Sequence, residues 1–210
     1  ARLYFLQSFD DLQRSALGRI CNVSLTDDQW LQASLPVRMG GLGIRRVSSL
    51  ATSAFLASAA GTRQLQDQIL IGTGVTSDVA FDQSLASRIQ SAPQGAAVGK
   101  QKAWDTPVIM AEFGELMKRY LEPRHKARLL AAAAPHSGDW LHAIPIAACG
   151  LLLNDDAVRV AVALRLGCTL CEQHNCRCGA VVDPLGTYPF SCKSSRGRIQ
   201  RHSFINDLIR

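Results

Sequence analysis

The spacing of apolar residues along the chain predicts α-helices. Phe9, Leu12, Ala16 and Ile20 recur at helical intervals within residues 8–20, so we expect a helix there with this stripe facing the core. Apolar residues are mostly Ala and Leu, and only 6% of the chain is aromatic, which also favours helices over sheets.

Start and stop signals define two further helices. Thr26 and Gln29 are spaced as a capping box, and Pro36 ends the short helix that follows. The segment 154–167 combines an Asn cap, two aspartates in the first turn, an arginine in the last turn and Gly167 as a left-handed stop. Two aspartate pairs, Asp27-Asp28 and Asp155-Asp156, begin these helices, so capping explains them without a catalytic role.

Helical patterns also cover most of the remaining chain. We expect helices at 47–62, within 63–92 with a break around Gly72–Gly74, at about 105–121 and at 123–134. The predicted fold class is mainly α. It is divided into a helical bundle at 1–92, a linker at 93–100, connecting helices at 101–167 and a small cysteine-rich module at 168–210.

Charge and targeting signals narrow the class of protein. The net charge of +6 makes a polyanionic partner plausible. The start of the chain does not read as a signal peptide, and the longest apolar run, 143–153, is too short to span a bilayer. We therefore expect a soluble intracellular protein without a membrane partner, in which clustered cysteines indicate a metal rather than disulfides.

Five of the seven cysteines lie within 25 residues, at 168–192. Cys176 and Cys178 form a closely spaced pair, and the turn-forming residues 183–186 would fold Cys192 back towards them. Zinc prefers four such ligands in a tetrahedron, and it would stabilise a segment with little apolar content. We predict zinc here, and the alternative is a set of buried or reactive free thiols.

Basic residues occur at two places where they could contact phosphates. The glycine loop VRMGGLGIRR, residues 37–46, lacks the Lys-Ser/Thr of a phosphate-binding loop, but its tight turn and flanking arginines would suit the approach of a nucleic-acid backbone. The second place follows the cysteines and contains no acidic residue, although a solvated charged face is the alternative. The predicted nucleic-acid contacts are Arg38, Arg45, Arg46, Lys193, Arg196, Arg198 and Arg201.

Two stretches of the sequence resemble non-LTR (LINE-like) retrotransposon polyproteins. DDQWLQASLPVRMGGLGIRRVSSLATSAFLASAA is similar to the reverse transcriptase thumb that follows the catalytic core. LRLGCTLCEQHNCRCGAVVDPLGTYPFSCKSSRGRIQRHSFINDLI resembles the cysteine-histidine knuckle that leads into a restriction-like endonuclease. The order and spacing of the two stretches agree with that family.

The resemblance implies a thumb-like bundle at 1–92 and a zinc-knuckle-like module at 168–210, joined by connecting helices. The implied partners are element RNA, target DNA and the polymerase core and endonuclease of the same polyprotein, in the nucleus. The paired aspartates of the polymerase have no match here. We also expect the sequence, which starts at Ala1 and stops within an apolar stripe at 204–209, to be part of a longer polypeptide. The expected role is non-catalytic nucleic-acid binding during target-primed reverse transcription.

The sequence departs from the family pattern at one ligand position. The knuckle has two cysteines, a histidine and a cysteine, which map to Cys176, Cys178, position 188 and Cys192. Position 188 is Tyr188, and a phenol is a poor zinc ligand at neutral pH. The candidates for a fourth ligand are His174, His202 and Cys171. Otherwise the copy is decayed and binds metal weakly.

Two rival functions share these cysteines. One is a zinc-binding adaptor that contacts protein instead of nucleic acid, which would leave the basic residues 193–201 without an explanation. The other is a decayed, inactive copy of the element, to which Tyr188 gives weight.

Overall fold

The computed structural model of the protein describes residues 2–72, 78–88 and 92–194. Within these residues the chain forms α-helices and one short antiparallel hairpin, which confirms the prediction of a mainly helical fold. The elements are α1 (Arg2–Cys21), α2 (Asp27–Ser34), α3 (Val47–Gly61), α4 (Arg63–Ile69), α5 (Val79–Ala86), α6 (Gln101–Arg119), α7 (Pro123–Ala132), α8 (Asp155–Leu166), β1 (His174–Asn175) and β2 (Val181–Val182). None of the described helices is both long and apolar enough to cross a membrane.

The predicted caps of α2 and α8 are confirmed. The Gln29 N–H donates to Thr26 Oγ1 over 3.3 Å, and the Thr26 N–H donates to Gln29 Oε1 over 2.9 Å, completing the capping box. At α8, Asn154 accepts a hydrogen bond from the Ala157 N–H, and Gly167 ends the helix at φ 69°. These local side-chain bonds satisfy amide groups that the first helical turn leaves free.

The prediction of which face of α1 is buried is wrong. Phe9, Leu12 and Ile20 are 49%, 68% and 68% exposed, whereas Leu17 and Cys21 are buried. The buried face is fixed by Leu17 and Cys21 in the core and by the buried carboxylate of Asp10, which is hydrogen-bonded to the start of α3. The apolar period identified the helix correctly, but tertiary contacts made by its other face decided its rotation.

Three buried clusters join the helices. Leu17 of α1, Trp30 of α2 and Leu166 of α8 share the first cluster, which also contains Cys168. A second cluster joins α2, α6 and α7, and a third joins α3 to α6. The break predicted within residues 63–92 is consistent with the end of α4 and the start of α5, while residues 73–77 and 89–91 lie outside the described part.

The predicted linker at 93–100 packs against the helices on both sides. Val98 lies against the third cluster, and its carbonyl accepts a hydrogen bond of 2.7 Å from Trp104 Nε1. At the same place the backbone of Gly99 closely approaches that of Gly61, the last residue of α3. Helices from the predicted regions 1–92 and 101–167 therefore pack directly against each other.

The glycine loop after α2 forms the tight turn that its sequence predicts. Gly40 and Gly43 have φ values of 83° and 76°, a left-handed conformation that residues with a side chain rarely adopt. Gln32 Nε2 donates to the carbonyls of Gly40 and Arg165, over 3.0 and 2.9 Å. This buried amide ties the loop to the end of α8.

Arg165 is buried beneath the same loop, although its position in the last turn of α8 suggested a charge at the helix end. Its guanidinium donates to the carbonyls of Gly41, Ser137 and Val37 over 3.0, 3.1 and 2.7 Å. Desolvation lowers the pKa of this guanidinium. No carboxylate pairs with Arg165 among the residues that the structure describes.

Candidate metal centre

Cys176 and Cys178 lie in the turn of the β1–β2 hairpin. His174 pairs with Val182 and Asn175 with Val181 in this antiparallel ladder. The Cys176 N–H donates to the Ala180 carbonyl and the Gly179 N–H to the Cys176 carbonyl, both over 2.8 Å, with Gly179 at φ 87°. The hairpin turn therefore holds both thiols at one end of the module.

Cys192 reaches these thiols from a second turn. The 3-10 turn Tyr188–Phe190 precedes Cys192, and the Cys192 N–H donates to the Tyr188 carbonyl over 3.1 Å. Cys192 is 2% exposed, so this thiol closes the inner side of the group. The turn-forming residues 183–186 lie between hairpin and Cys192, and the Gly186 N–H donates to the Asp183 carbonyl. The predicted return of Cys192 to the cysteine pair is confirmed.

The spacing of the three sulfurs suits a tetrahedral metal ion. Cys192 Sγ lies 3.7 Å from Cys176 Sγ and 3.7 Å from Cys178 Sγ, and all three atoms lie within 4.8 Å of one another. Zinc–sulfur bonds of about 2.3 Å place tetrahedral sulfur ligands roughly 3.8 Å apart. These three cysteines could therefore hold a metal ion, and thiolates are the ligands that zinc and other soft ions prefer.

Tyr188 lies beside the three thiols. Its hydroxyl is 3.0 Å from Cys178 Sγ. The hydrogen bond from this hydroxyl and another from the Ala180 N–H lower the pKa of Cys178 to about 7. The same contact raises the pKa of Tyr188 above its usual range. When Cys178 is deprotonated, the Tyr188 hydroxyl is placed to donate a hydrogen bond to the thiolate.

The described candidates for the fourth ligand lie outside this group of thiols. His174 is exposed, with Nδ1 2.8 Å from the Glu172 carbonyl. Cys171 Sγ contacts the Asp183 carbonyl over 3.6 Å. His202 lies outside the described residues.

Cys168 belongs to the hydrophobic core. It is 1% exposed and packs with Leu166 and Trp30. Burial raises the pKa of its thiol to about 11. Cys168 therefore anchors the start of the module to the helices as a small core residue.

The arginines of the glycine loop have different surroundings. Arg45 Nη1 lies 2.7 Å from Asp105 Oδ2, and Arg46 is paired with Glu112. Arg38 is exposed, and its side chain has no hydrogen-bond or ion-pair partner among the described residues. Of these three predicted nucleic-acid contacts, Arg38 therefore has the guanidinium that is not already paired within the described chain.

Exposed cations flank the thiols. Lys193, one of the predicted contacts, is exposed directly after Cys192. Arg177 is also exposed, between Cys176 and Cys178; it was not among the predicted contacts, although its position between two candidate ligands was a usable signal. The other predicted contacts of this strip, Arg196, Arg198 and Arg201, lie outside the described residues.

A salt bridge connects the module to the helices. Arg124 in the first turn of α7 lies 3.3 Å from Asp183 Oδ2 and 2.7 Å from Glu122 Oε2. The backbone of the same segment is fixed by the Leu170 N–H, which donates to the Pro184 carbonyl over 2.8 Å. The salt bridge therefore places Asp183 of the module beside the first turn of α7.

Comparison of the chain with protein-family models, with curated proteins and with solved structures gave no match.

Proposed function

We propose that this chain is a non-catalytic, nucleic-acid-binding part of a non-LTR retrotransposon reverse transcriptase and endonuclease polyprotein. The observation that carries the proposal is the convergence of Cys176, Cys178 and Cys192, with position 188 beside them, in a module attached to a helical bundle. Position 188 is the histidine position of the knuckle that the sequence resembles. The partners in this proposal are element RNA and target DNA, bound in the nucleus during target-primed reverse transcription.

Zinc would have a structural role in this function. Bound zinc would cross-link the hairpin turn to the turn before Cys192, because its ligands come from both segments. The chain's own residues hold the two turns in register, with Tyr188 orienting and stabilising the Cys178 thiolate by its hydrogen bond. The fourth position would be filled from outside these three thiols.

The charges around the thiols support a nucleic-acid partner. Arg177 and Lys193 are exposed immediately beside the proposed ligands, and the chain carries a net charge of +6. Cations fixed on a rigid turn can contact phosphates without the entropy cost of ordering a flexible tail. They would position a nucleic-acid backbone without reading its sequence.

Zinc binding by the purified chain tests the proposed metal site. We expect the purified chain to bind one zinc ion, with Cys192→Ser reducing the affinity at least about 10-fold because it removes one of three thiolates. Cys149→Ser is the matched control, since Cys149 is exposed in a separate segment. Equal zinc affinity in the two variants, or no zinc in the wild type, would contradict the metal site.

The family position 188 can be tested in the same assay. Tyr188→His supplies an imidazole at the histidine position and is expected to strengthen zinc binding. Tyr188→Phe removes only the hydroxyl that contacts Cys178 and is expected to weaken it. Stronger binding by the phenylalanine variant would show that the hydroxyl opposes metal binding. Failure of the wild type and of Tyr188→His to bind zinc would favour a decayed copy.

The salt dependence of duplex affinity tests the proposed nucleic-acid binding. We expect the zinc-loaded chain to bind an RNA–DNA duplex with an affinity that falls steeply as salt increases. Arg177→Glu with Lys193→Glu should weaken binding at least about 10-fold, because two attractions become two repulsions. Lys102→Glu is the control, since Lys102 is exposed at the start of α6. A duplex affinity insensitive to all three changes would contradict the proposal.

One observation favours the adaptor as a second candidate. All residues from 142 to 153 are exposed, including large aliphatic side chains such as Ile144, Leu151 and Leu152. Contiguous exposed apolar surface is typical of protein contacts. Tight, salt-insensitive association with a protein, lost on Leu152→Asp but unaffected by Lys193→Glu, would favour this alternative.

A further inference from the structure

A cleft lies between the glycine loop and the segment after α7, and none of the three thiols lines it. Its volume is about 270 Å³. One wall contains Val37 and Arg38, and the other contains Pro135, His136 and His142. The cleft therefore combines apolar walls with side chains that can donate hydrogen bonds.

A buried guanidinium holds the two walls together. Arg165 donates to the Val37 carbonyl over 2.7 Å on one side and to the Ser137 carbonyl over 3.1 Å on the other. The walls also meet at Gly138, where an added Cβ would lie 2.3 Å from Val37 Cγ1. The cleft is thus built on a fixed part of the fold.

The balance of charges in the cleft favours an anion. Arg38 has no side-chain partner in the described part of the chain, and Arg165 beneath the cleft is bonded only to carbonyls. Asp139 is the acidic residue that lines the cleft, and its Oδ2 lies 2.9 Å from His136 Nδ1. Arg38 is therefore the unpaired cation that lines the cleft in the described part of the chain, Arg165 adds a second positive charge beneath it, and the one lining carboxylate is already hydrogen-bonded.

The histidines add directed donors. His142 has no side-chain partner among the described residues, so its imidazole N–H is available to a ligand. His136 has φ 66°, a left-handed conformation that costs a residue with a side chain free energy and that glycine would adopt more easily. The imidazole of His136 is hydrogen-bonded to the Asp139 carboxylate.

From this arrangement we propose that the cleft binds one phosphate of a nucleic-acid backbone. Arg38 and His142 contact the phosphate oxygens, Arg165 contributes charge from below, and Val37 and Pro135 pack against the sugar. His136 is a positioning residue that keeps the Asp139 carboxylate hydrogen-bonded. This inference rests on the proposed nucleic-acid function and adds a contact separate from the cysteine module.

The inference predicts a change in the number of phosphate contacts. Arg38→Gln should weaken RNA–DNA duplex binding about 5-fold at moderate salt and reduce the slope of log K against log salt by about 1, because one contact is lost. His142→Gln should weaken binding to a smaller extent with the slope nearly unchanged. Arg19→Gln is the matched control, since Arg19 is an exposed arginine in the last turn of α1.

A direct measurement follows the histidines themselves. Imidazole NMR signals of His136 and His142 should shift when the zinc-loaded chain is titrated with the duplex, while that of His125, in the first turn of α7 and outside both the cleft and the hairpin, serves as a comparison. Assignments come from the His136→Gln and His142→Gln variants. Circular dichroism of each variant verifies that the exposed substitutions leave the helices intact.

The outcomes separate this inference from the broader function. Wild-type binding that is weakened by Arg177→Glu with Lys193→Glu but unchanged by Arg38→Gln overturns the cleft and leaves the proposed function standing. No duplex binding by the wild type overturns both. Weaker binding by Arg38→Gln with a smaller salt slope, together with shifts of the His136 and His142 signals, supports the cleft.

Discussion

At Gly41 the backbone of the glycine loop runs against the end of α2. An added Cβ would lie 1.9 Å from the Leu35 carbonyl oxygen and 2.6 Å from that of Gln32. Both atoms belong to the backbone of a buried helix end, so neither can move aside without displacing the helix. Gly114 in α6 is different, because an added Cβ there meets no atom within 4 Å.

We therefore expect Gly41→Ala to lower the free energy of unfolding by about 3 kcal/mol or more, since backbone must shift in a packed region. Gly114→Ala should raise it by about 0.5–1 kcal/mol, because alanine favours the helix. Urea denaturation of both variants measures this. Similar stability of Gly41→Ala and wild type would show that the loop can relax.

Cys168 links stability to pH through its buried thiol. In the unfolded chain a thiol titrates near pH 9.0, whereas burial raises the folded pKa of Cys168 to about 11. The folded state keeps this proton when the unfolded state has lost it. The contribution of the thiol is therefore complete below pH 9 and is lost as pH rises from 9 through 11.

Cys168→Ala should consequently flatten the alkaline loss of stability. Between pH 8 and 10.5 we expect the wild type to lose about 1–2 kcal/mol more than the variant, because other groups titrate equally in both. Chemical denaturation at the two pH values measures the difference. Parallel losses in the two proteins would contradict a raised thiol pKa.

Residue types and spacing were enough to predict the three thiols, and the family resemblance implied that position 188 lies with them, but the hydrogen bonds of the neighbouring side chains were not predicted. Cys176, Cys178 and Cys192 were identified from a short pair and a following turn. The contact between Tyr188 and Cys178 depends on where the 3-10 turn lies in space, which no local pattern gives. The burial of Arg165 likewise depends on carbonyls that are distant in sequence.

The ends of α2 and α8 could be predicted because their capping residues are neighbours in sequence. The start of α3 could not, because its capping residue belongs to α1. Asp10 in α1 accepts hydrogen bonds from the Val47 and Ser48 N–H groups over 2.7 and 3.2 Å. Asp10 is fully buried, and Arg46 at the N-cap position makes no such side-chain bond. The carboxylate also interacts favourably with the positive end of α3.

Asp10→Ala should lower the free energy of unfolding by about 2–3 kcal/mol, because two buried amides lose their acceptor. Thr26→Ala removes an exposed cap from α2 and should cost only about 1 kcal/mol. Thermal or urea denaturation distinguishes the two. An Asp10→Ala loss no larger than that of Thr26→Ala would show that water replaces the carboxylate.

This long-range cap also explains the error at α1. The stripe of Phe9, Leu12 and Ile20 satisfies a helical period, yet the helix turns its Asp10 and Leu17 side towards α3 and α8. Periodicity reports that a face is apolar but not which neighbour covers it. Rotation of a helix is predictable only when its partners are known.

For the whole molecule, the helical cores and the thiol site make separate contributions to the stability of the fold. The buried clusters are formed by residues such as Leu17, Leu116 and Leu56, whereas the proposed ligands contribute to a hairpin with two-residue strands. Cys168, at the start of the module, and Cys21 of α1 belong to the first of these clusters. Stability of the helices should therefore not require the metal.

Chelation of zinc should leave the far-UV circular dichroism nearly unchanged while amide signals of residues 174–192 lose dispersion. The thiols would repel one another as thiolates without the ion, but the apolar clusters would remain packed. NMR spectra before and after chelation test this. Cooperative loss of helicity on chelation would instead make the module part of one folding unit.

The exposed segment 142–153 has a consequence for chain continuity. It offers a protease an accessible backbone, so limited proteolysis should cut there before it cuts any described helix. The contacts across the cut remain, because Gln29 binds the Gly167 carbonyl and Arg165 binds the Gly41 carbonyl. The two pieces should therefore co-elute in gel filtration. A pair that separates would show that these contacts need the covalent link.

The same contacts should also let two separately produced fragments of the chain associate. Residues 1–146 and 147–210, produced as separate polypeptides, should recombine in solution, with the smaller piece docking α8 between α1 and α2. The pieces would be joined by the apolar cluster that α1, α2 and α8 share and by the buried hydrogen bonds of Arg165, so docking would not require the covalent bond between them.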